Sequence, residues 1–204
     1  MARPFSVAVY CSSSDDIDRR YFQDAEALGT ALAQQGWRLV YGAGSVGLMG
    51  AVARATHAAG GRVYGVIPHA LDRREVTYEC DELLRVETMR ERKALMEENA
   101  DAFIALPGGF GTFEEILEVI VLKQLGYHDR AIVFVNTLGY WNPLIALFEE
   151  TIRQHFARPT NRHLYKVVET PEEAIAYIAN YYPQPAPDLE PAEIREEELR
   201  TALE

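Results

Sequence analysis

The sequence is poor in the features that mark secreted, membrane-spanning or metal-dependent proteins. Only two cysteines, Cys11 and Cys80, occur in 204 residues. Two cannot build a disulfide framework, and they suit a reducing compartment. No apolar run approaches the roughly 20 residues that cross a bilayer. Met1-Ala2-Arg3-Pro4 leads straight into a strand-like run with no signal-peptide pattern, so a cytoplasmic protein without membrane contact is expected. The five histidines lack ligand-like spacing, and neither a metal nor a cofactor is expected. Positive charge is scarce too, at a formal net charge of −11. That balance argues against a nucleic-acid partner. A small anion remains open, because it needs only a local cluster of donors. Lysine is confined to Lys93, Lys123 and Lys166 against 17 arginines. Arginine offers planar, bidentate recognition of phosphate, although genome composition explains the same bias.

The remaining composition, 48% hydrophobic and 25% charged, is that of an ordinary globular protein. Short β-branched runs alternate with helical patterns. Strands are predicted at Phe5–Cys11, Arg38–Tyr41, Arg62–Ile67, Leu83–Val86, Ala102–Leu106, Ala131–Val135 and Tyr165–Val168. Helices are predicted at Ile17–Gln35, Leu48–Ala59, Thr88–Asn99, Phe113–Leu125, Pro143–Phe156 and Pro171–Tyr181. This alternation predicts an α/β fold, a Rossmann-like doubly wound parallel sheet in a single domain over residues 1–182. Residues 183–204 differ: four prolines and seven acids against two arginines read as a linker and weak terminal helix, or as disorder.

Sheets of this kind bind ligands at the carboxyl ends of their strands, and two glycine-rich loops follow strands. Gly42-Ala43-Gly44-Ser45-Val46-Gly47 matches G-x-G-x-x-G, but the acid expected about 20 residues on is missing near Ile67-Pro68-His69. Dinucleotide binding is therefore not predicted. Gly44, Ser45 and Gly47 remain candidates for a phosphate or nucleotide loop, against the alternative of a tight turn that packs helix on strand. The second loop, Pro107-Gly108-Gly109-Phe110-Gly111-Thr112, lies between a buried strand and a helix and predicts a phosphate cradle of backbone N–H groups. It lacks the Lys-Ser/Thr pair of a Walker loop. Thr112-x-x-Glu115 also fits a capping box, which would give Glu115 a purely structural role. Thr88-x-x-Glu91 fits another, placing Arg90, Arg92 and Lys93 in the first turns of a helix, where cations are disfavoured. Either a functional site or a solvated charged face accounts for that cluster.

Arg92-Lys93 followed by Pro-Gly-Gly-x-Gly-Thr-x-x-Glu at 107–115 resembles the LOG (Lonely Guy) family of cytokinin riboside 5′-monophosphate phosphoribohydrolases. Gly44–Gly50 resembles that family's earlier glycine loop, and matches run along residues 5–181. The resemblance implies that Arg92 and Glu115 are catalytic. It implies that Glu75, Arg92, Lys93 and the loop Gly108, Gly109, Phe110, Gly111, Thr112, Phe113 and Glu114 contact the nucleotide. It also implies a homodimer with sites near the subunit interface. The expected reaction is cleavage of the N-glycosidic bond of a purine nucleoside 5′-monophosphate to free base and ribose 5-phosphate. A broader AMP nucleosidase, or a non-catalytic nucleotide- or molybdenum-cofactor-binding protein of the same fold, are the alternatives. Relatives labelled lysine decarboxylases find no support, because no pyridoxal-binding lysine motif is recognisable. Ala43 stands where relatives commonly carry a third glycine, and Val121 where plant-like members often carry a ligand-touching threonine. Both departures bear on the choice of base more than on the reaction.

Overall fold

The strongest apolar runs of the sequence lie side by side in one sheet. The computed structural model describes residues 3–73 and 76–182; Glu75 and the Pro-rich segment 183–204 lie outside them. The strands are β1 (Ser6–Tyr10), β2 (Arg38–Tyr41), β3 (Val63–Pro68), β4 (Glu82–Val86), β5 (Ala102–Ala105), β6 (Ala131–Val135) and β7 (Lys166–Val168). The helices are α1 (Arg19–Gln34), α2 (Gly47–Ala58), α3 (Met89–Glu98), α4 (Phe110–Gln124), α5 (Asn142–Arg153) and α6 (Pro171–Tyr181). All strand pairs are parallel, in the order β4-β3-β2-β1-β5-β6-β7. No helix among the described residues is long and apolar enough to cross a membrane.

Burial explains why the inner strands read as unbroken apolar runs. Every residue of β1, β2, β3, β5 and β6 is buried, whereas β4 and β7 at the edges are exposed or half-buried except at their last residue. Strands covered on both faces have no solvent side to pattern. The period of two survives within the core. Val7 and Val9 of β1 pack with Leu28, Leu48 and Ile178 under α1, α2 and α6. Ala8 and Tyr10 pack on the other face with Met96, Ile116 and Trp141. Removing one of these large side chains, as in Phe103→Ala, should cost about 3–5 kcal/mol.

The topology sets the location of the site. The chain winds outward from β1 to β4, then returns to place β5 against the other side of β1. The loops after β1 and β5 therefore part in opposite directions and open a crevice at their carboxyl ends.

Candidate active site

Three loops converge at that crevice. The segment after β1 is the centre of the arrangement. The Ser12 amide donates to the Pro107 carbonyl at 3.1 Å, which ties it to the second glycine loop. The Ser12 carbonyl accepts from the Leu48 and Met49 amides at 2.9 and 3.3 Å, which ties it to the N-terminus of α2.

The first glycine loop spends its donors on the protein. The Gly47 amide donates to the Asp15 carboxylate at 2.8 Å. The Ser45 amide donates to the Val76 carbonyl at 2.9 Å, and Gly44 forms an antiparallel bridge with Thr77. Gly47 is required by geometry. Its φ is +59°, and a Cβ there would sit 2.4 Å from the Ser13 carbonyl carbon. The helix N-terminus that would attract an anion is thus filled by the chain's own carboxylate and carbonyl.

The second glycine loop keeps its donors open. Helix α4 begins at Phe110, one turn earlier than the Phe113 start expected, with Gly109 as N-cap and no side-chain cap. Amides at the start of a helix have no intrahelical acceptor. Those of Gly109, Phe110, Gly111 and Thr112 donate to no described residue. Gly109, Phe110 and Gly111 are exposed, Thr112 is buried and Phe113 is half-buried. A Cβ on Gly109 or Gly111 would meet nothing within 4 Å. The earlier helix start also removes the Thr112–Glu115 capping box. Thr112 lies inside the first turn, and Glu115 turns toward a different partner.

That partner is Arg92. Its Nη1 donates to Glu115 Oε1 at 2.6 Å, with about 10% of each side chain exposed. Arg92 Nε also donates to the Val66 carbonyl at 3.3 Å, at the carboxyl end of β3. The end of β2 supplies the space. A Cβ on Gly42 would lie 1.7 Å from Arg92 Nη2, so a side chain there would evict the guanidinium. The Thr88–Glu91 capping box forms with both of its hydrogen bonds and starts α3 so that Arg92 faces inward. Burial pushes the Glu115 carboxyl above the ordinary carboxylate range, and the Arg92 charge offsets this only in part. Buried ion pairs add little stability for their desolvation cost, whereas a carboxyl raised by burial in a crevice suits acid–base chemistry. Burial also raises the Tyr10 hydroxyl and the Cys11 thiol, followed by the Glu115 charge, so both stay protonated beside it.

Lys93, next to Arg92, pairs with Glu114 and, at 3.0 Å, with Glu118. Thus Arg92, Lys93, Glu114 and Glu115 converge where α3 meets α4, as two adjacent pairs. Gly44, Ser45 and Gly47 join the same crevice from the side of β2, and Val121 lies further along α4, half exposed. Among the described residues no group of His, Cys, Asp and Glu side chains could hold a metal ion.

A family model described as "Possible lysine decarboxylase" matches residues 49–178. The probable cytokinin riboside 5′-monophosphate phosphoribohydrolase LOGL2 of Oryza sativa subsp. japonica is 45% identical over 87% of this chain and 73% of its own length. The cytokinin riboside 5′-monophosphate phosphoribohydrolase LOG5 of Arabidopsis thaliana is 42% identical over 87% of this chain and 78% of its own. The chain belongs to the LOG family. Solved structures share its fold. The molybdenum cofactor carrier protein of Chlamydomonas reinhardtii covers 89% of this chain and 100% of its own at a TM-score of 0.71. The molybdenum cofactor binding protein of Rippkaea orientalis gives a TM-score of 0.68 over 89% of this chain and 99% of its own. At 20% and 17% identity these likenesses extend to the fold alone.

Several residues that build this LOG-family site are not evident from the sequence. Ser12 and Asp15 sit in a polar stretch that reads as the lead-in to a helix. Gly42 looks like one more flexible loop glycine until Arg92 is placed against it. The Tyr140 hydroxyl donates to the Gly108 carbonyl from the connection after β6, 32 residues away. Only the strand-end position of Gly42, where such folds gather ligands, could have been read in advance.

Proposed function

We propose that this protein is a phosphoribohydrolase, cleaving the N-glycosidic bond of a purine nucleoside 5′-monophosphate with an N6-modified, cytokinin-type adenine as base. One observation carries the reading: a buried Arg92–Glu115 pair stands behind an open set of amide donors at the start of α4, the helix that carries Glu115. Glu115 lies four residues after Gly111, about 6 Å along the helix axis. That spacing is comparable to the reach from a 5′-phosphate to C1′ of ribose. With the phosphate on the amides of residues 109–112, the Glu115 carboxylate lies at the depth of C1′.

Breaking the C1′–N bond leaves oxocarbenium-like charge on the sugar. The Glu115 carboxylate stabilises that charge as the base departs. Water adds to C1′, its hydroxyl becoming the anomeric hydroxyl, and the net proton goes to the departing base nitrogen. Arg92 holds the carboxylate in place and keeps it from relaxing toward solvent, a preorganised electrostatic frame. The phosphate contributes orientation from a distance.

The active form is a cytoplasmic homodimer. Half-exposed Val121 lines, with Leu117, Ile120, Phe148 and Leu164, an apolar cavity of about 180 Å³ between α4 and α5, and Leu147 of α5 and Phe156 just after it are exposed as well, apolar surface suited to a second copy. Sedimentation analysis should give twice the chain mass; a monomer at micromolar concentration would remove the dimer from this reading.

Incubation with AMP and with isopentenyl-AMP, followed by chromatography, tests the reaction. Free base and ribose 5-phosphate should form, with the modified nucleotide preferred. Release of no base from either would refute the activity. Faster release from AMP would assign the broader nucleosidase instead.

A further inference from the structure

We infer that Tyr140 is a positioning residue for phosphate recognition, orienting the Gly108–Gly109 peptide so that its N–H faces the open crevice. The inference rests on the proposed role of the 108–112 loop as the phosphate seat. A trans peptide points its C=O and N–H in opposite directions. The Tyr140 hydroxyl donates to the Gly108 carbonyl, so the Gly109 N–H is aimed away from Tyr140. That amide donates to no described residue, and the space around Gly109 is open. Without Tyr140 the peptide of two adjacent glycines has little to resist rotation.

Tyr140 is itself firmly placed. The connection after β6 turns through Leu138 and Gly139, both with positive φ, at +57° and +71°. It is closed by Asn136, whose Oδ1 accepts from the Trp141 amide at 2.8 Å and whose Nδ2 donates to Asn142 at 2.9 Å. Trp141 is fully buried, 4.9 Å from the Phe134 ring and 5.7 Å from Phe113 in the first turn of α4. The Tyr140 ring rests edge-on against Tyr21 at 6.1 Å. Burial raises the Tyr140 hydroxyl above its ordinary value, which keeps it a donor at neutral pH. Among the described residues this is the only side-chain hydrogen bond made to the 107–111 loop, and it fixes the one peptide that leads into the open amides.

Tyr140→Phe keeps the ring contacts and removes only the donor. The dissociation constant for ribose 5-phosphate, measured by calorimetry, should rise about tenfold, the scale of one net hydrogen bond. KM for AMP should rise by a similar factor while kcat stays within about twofold, and kcat/KM for adenosine, which has no phosphate, should not change. Unchanged ribose 5-phosphate binding would overturn the inference. So would an equal loss on AMP and adenosine, which would make Tyr140 a packing residue. A failure of the underlying reading looks different: the unmutated protein would bind no ribose 5-phosphate at all, and the inference would fall with it.

Discussion

The two glycine loops have similar sequences and opposite fates. Both follow a buried strand and both open a helix. In the loop after β2 the helix-end amides are taken up by Asp15 and Ser12, and its glycines serve packing: Gly47 admits the Ser12–Ser14 backbone and Gly42 admits the Arg92 guanidinium. In the loop after β5 the amides are left open, no side chain caps the helix, and the space around Gly109 and Gly111 is empty. A glycine-rich strand-to-helix turn is therefore not by itself a ligand site. What distinguishes the two is whether the chain has already satisfied the donors, which depends on residues far away in sequence.

The largest effect should come from the residue that the open loop serves. Glu115→Gln leaves the α4 start untouched, because no cap involves Glu115, and retains a partner for Arg92. Turnover should fall by roughly 10²–10⁴, with nucleotide binding and the melting temperature little changed. Activity of the unmutated enzyme should decline with acid through a pKa above the ordinary carboxylate range, since the carboxyl is raised by burial and the proposed mechanism uses it ionised; Glu115→Gln should abolish that limb. A well-folded Glu115→Gln protein with near-normal kcat would return the pair to a structural role.

The same substitution placed in each loop should give opposite readouts. Gly47→Ala forces a side chain into positive φ and against Ser13 backbone, so it should cost about 2–3 kcal/mol of stability in denaturant titration. Gly111→Ala meets open space in the first turn of a helix. It should gain about 0.5–1 kcal/mol while raising KM for AMP, because the methyl enters the space proposed for the phosphate. If Gly111→Ala left KM unchanged, or Gly47→Ala left stability unchanged, the contrast between the loops would fail.

The sequence carries some of this contrast and hides the rest. The inner strands are legible because burial on both faces makes them continuous apolar runs, and the alternation with helices leads directly to the parallel sheet. The Thr88–Glu91 capping box is legible because both of its bonds are local. Thr112–Glu115 has the same spacing and is not a cap. There the Arg92 charge, 23 residues distant in the chain, draws Glu115 away, and the helix begins at Phe110 with its amides bare. Arg92 and Glu115 come from their family motif, but their mutual contact depends on Gly42, just past β2, and on Val66 of the neighbouring β3. Ser12, Asp15 and Tyr140 act through one to three long-range hydrogen bonds each, which leave no periodicity or spacing to read.

The smallest expected effect gives the sharpest test of which loop meets the phosphate. Asp15→Asn keeps an oxygen to accept the Gly47 amide and removes only the charge. The lost interaction with the α2 N-terminus is worth about 0.3–1 kcal/mol, so the melting temperature should drop by no more than about 4 °C. If the phosphate sits on the loop after β5, a neutral residue 15 should leave KM for AMP within about twofold. If it sits instead at the N-terminus of α2, the Asp15 carboxylate is its direct competitor for the same amide. Neutralising it would then remove a like-charge repulsion and tighten AMP binding about tenfold or more, the factor for each 1.4 kcal/mol. Calorimetric titration of Asp15→Asn with ribose 5-phosphate separates the two outcomes, because the loops predict no change in one case and a clear gain in the other.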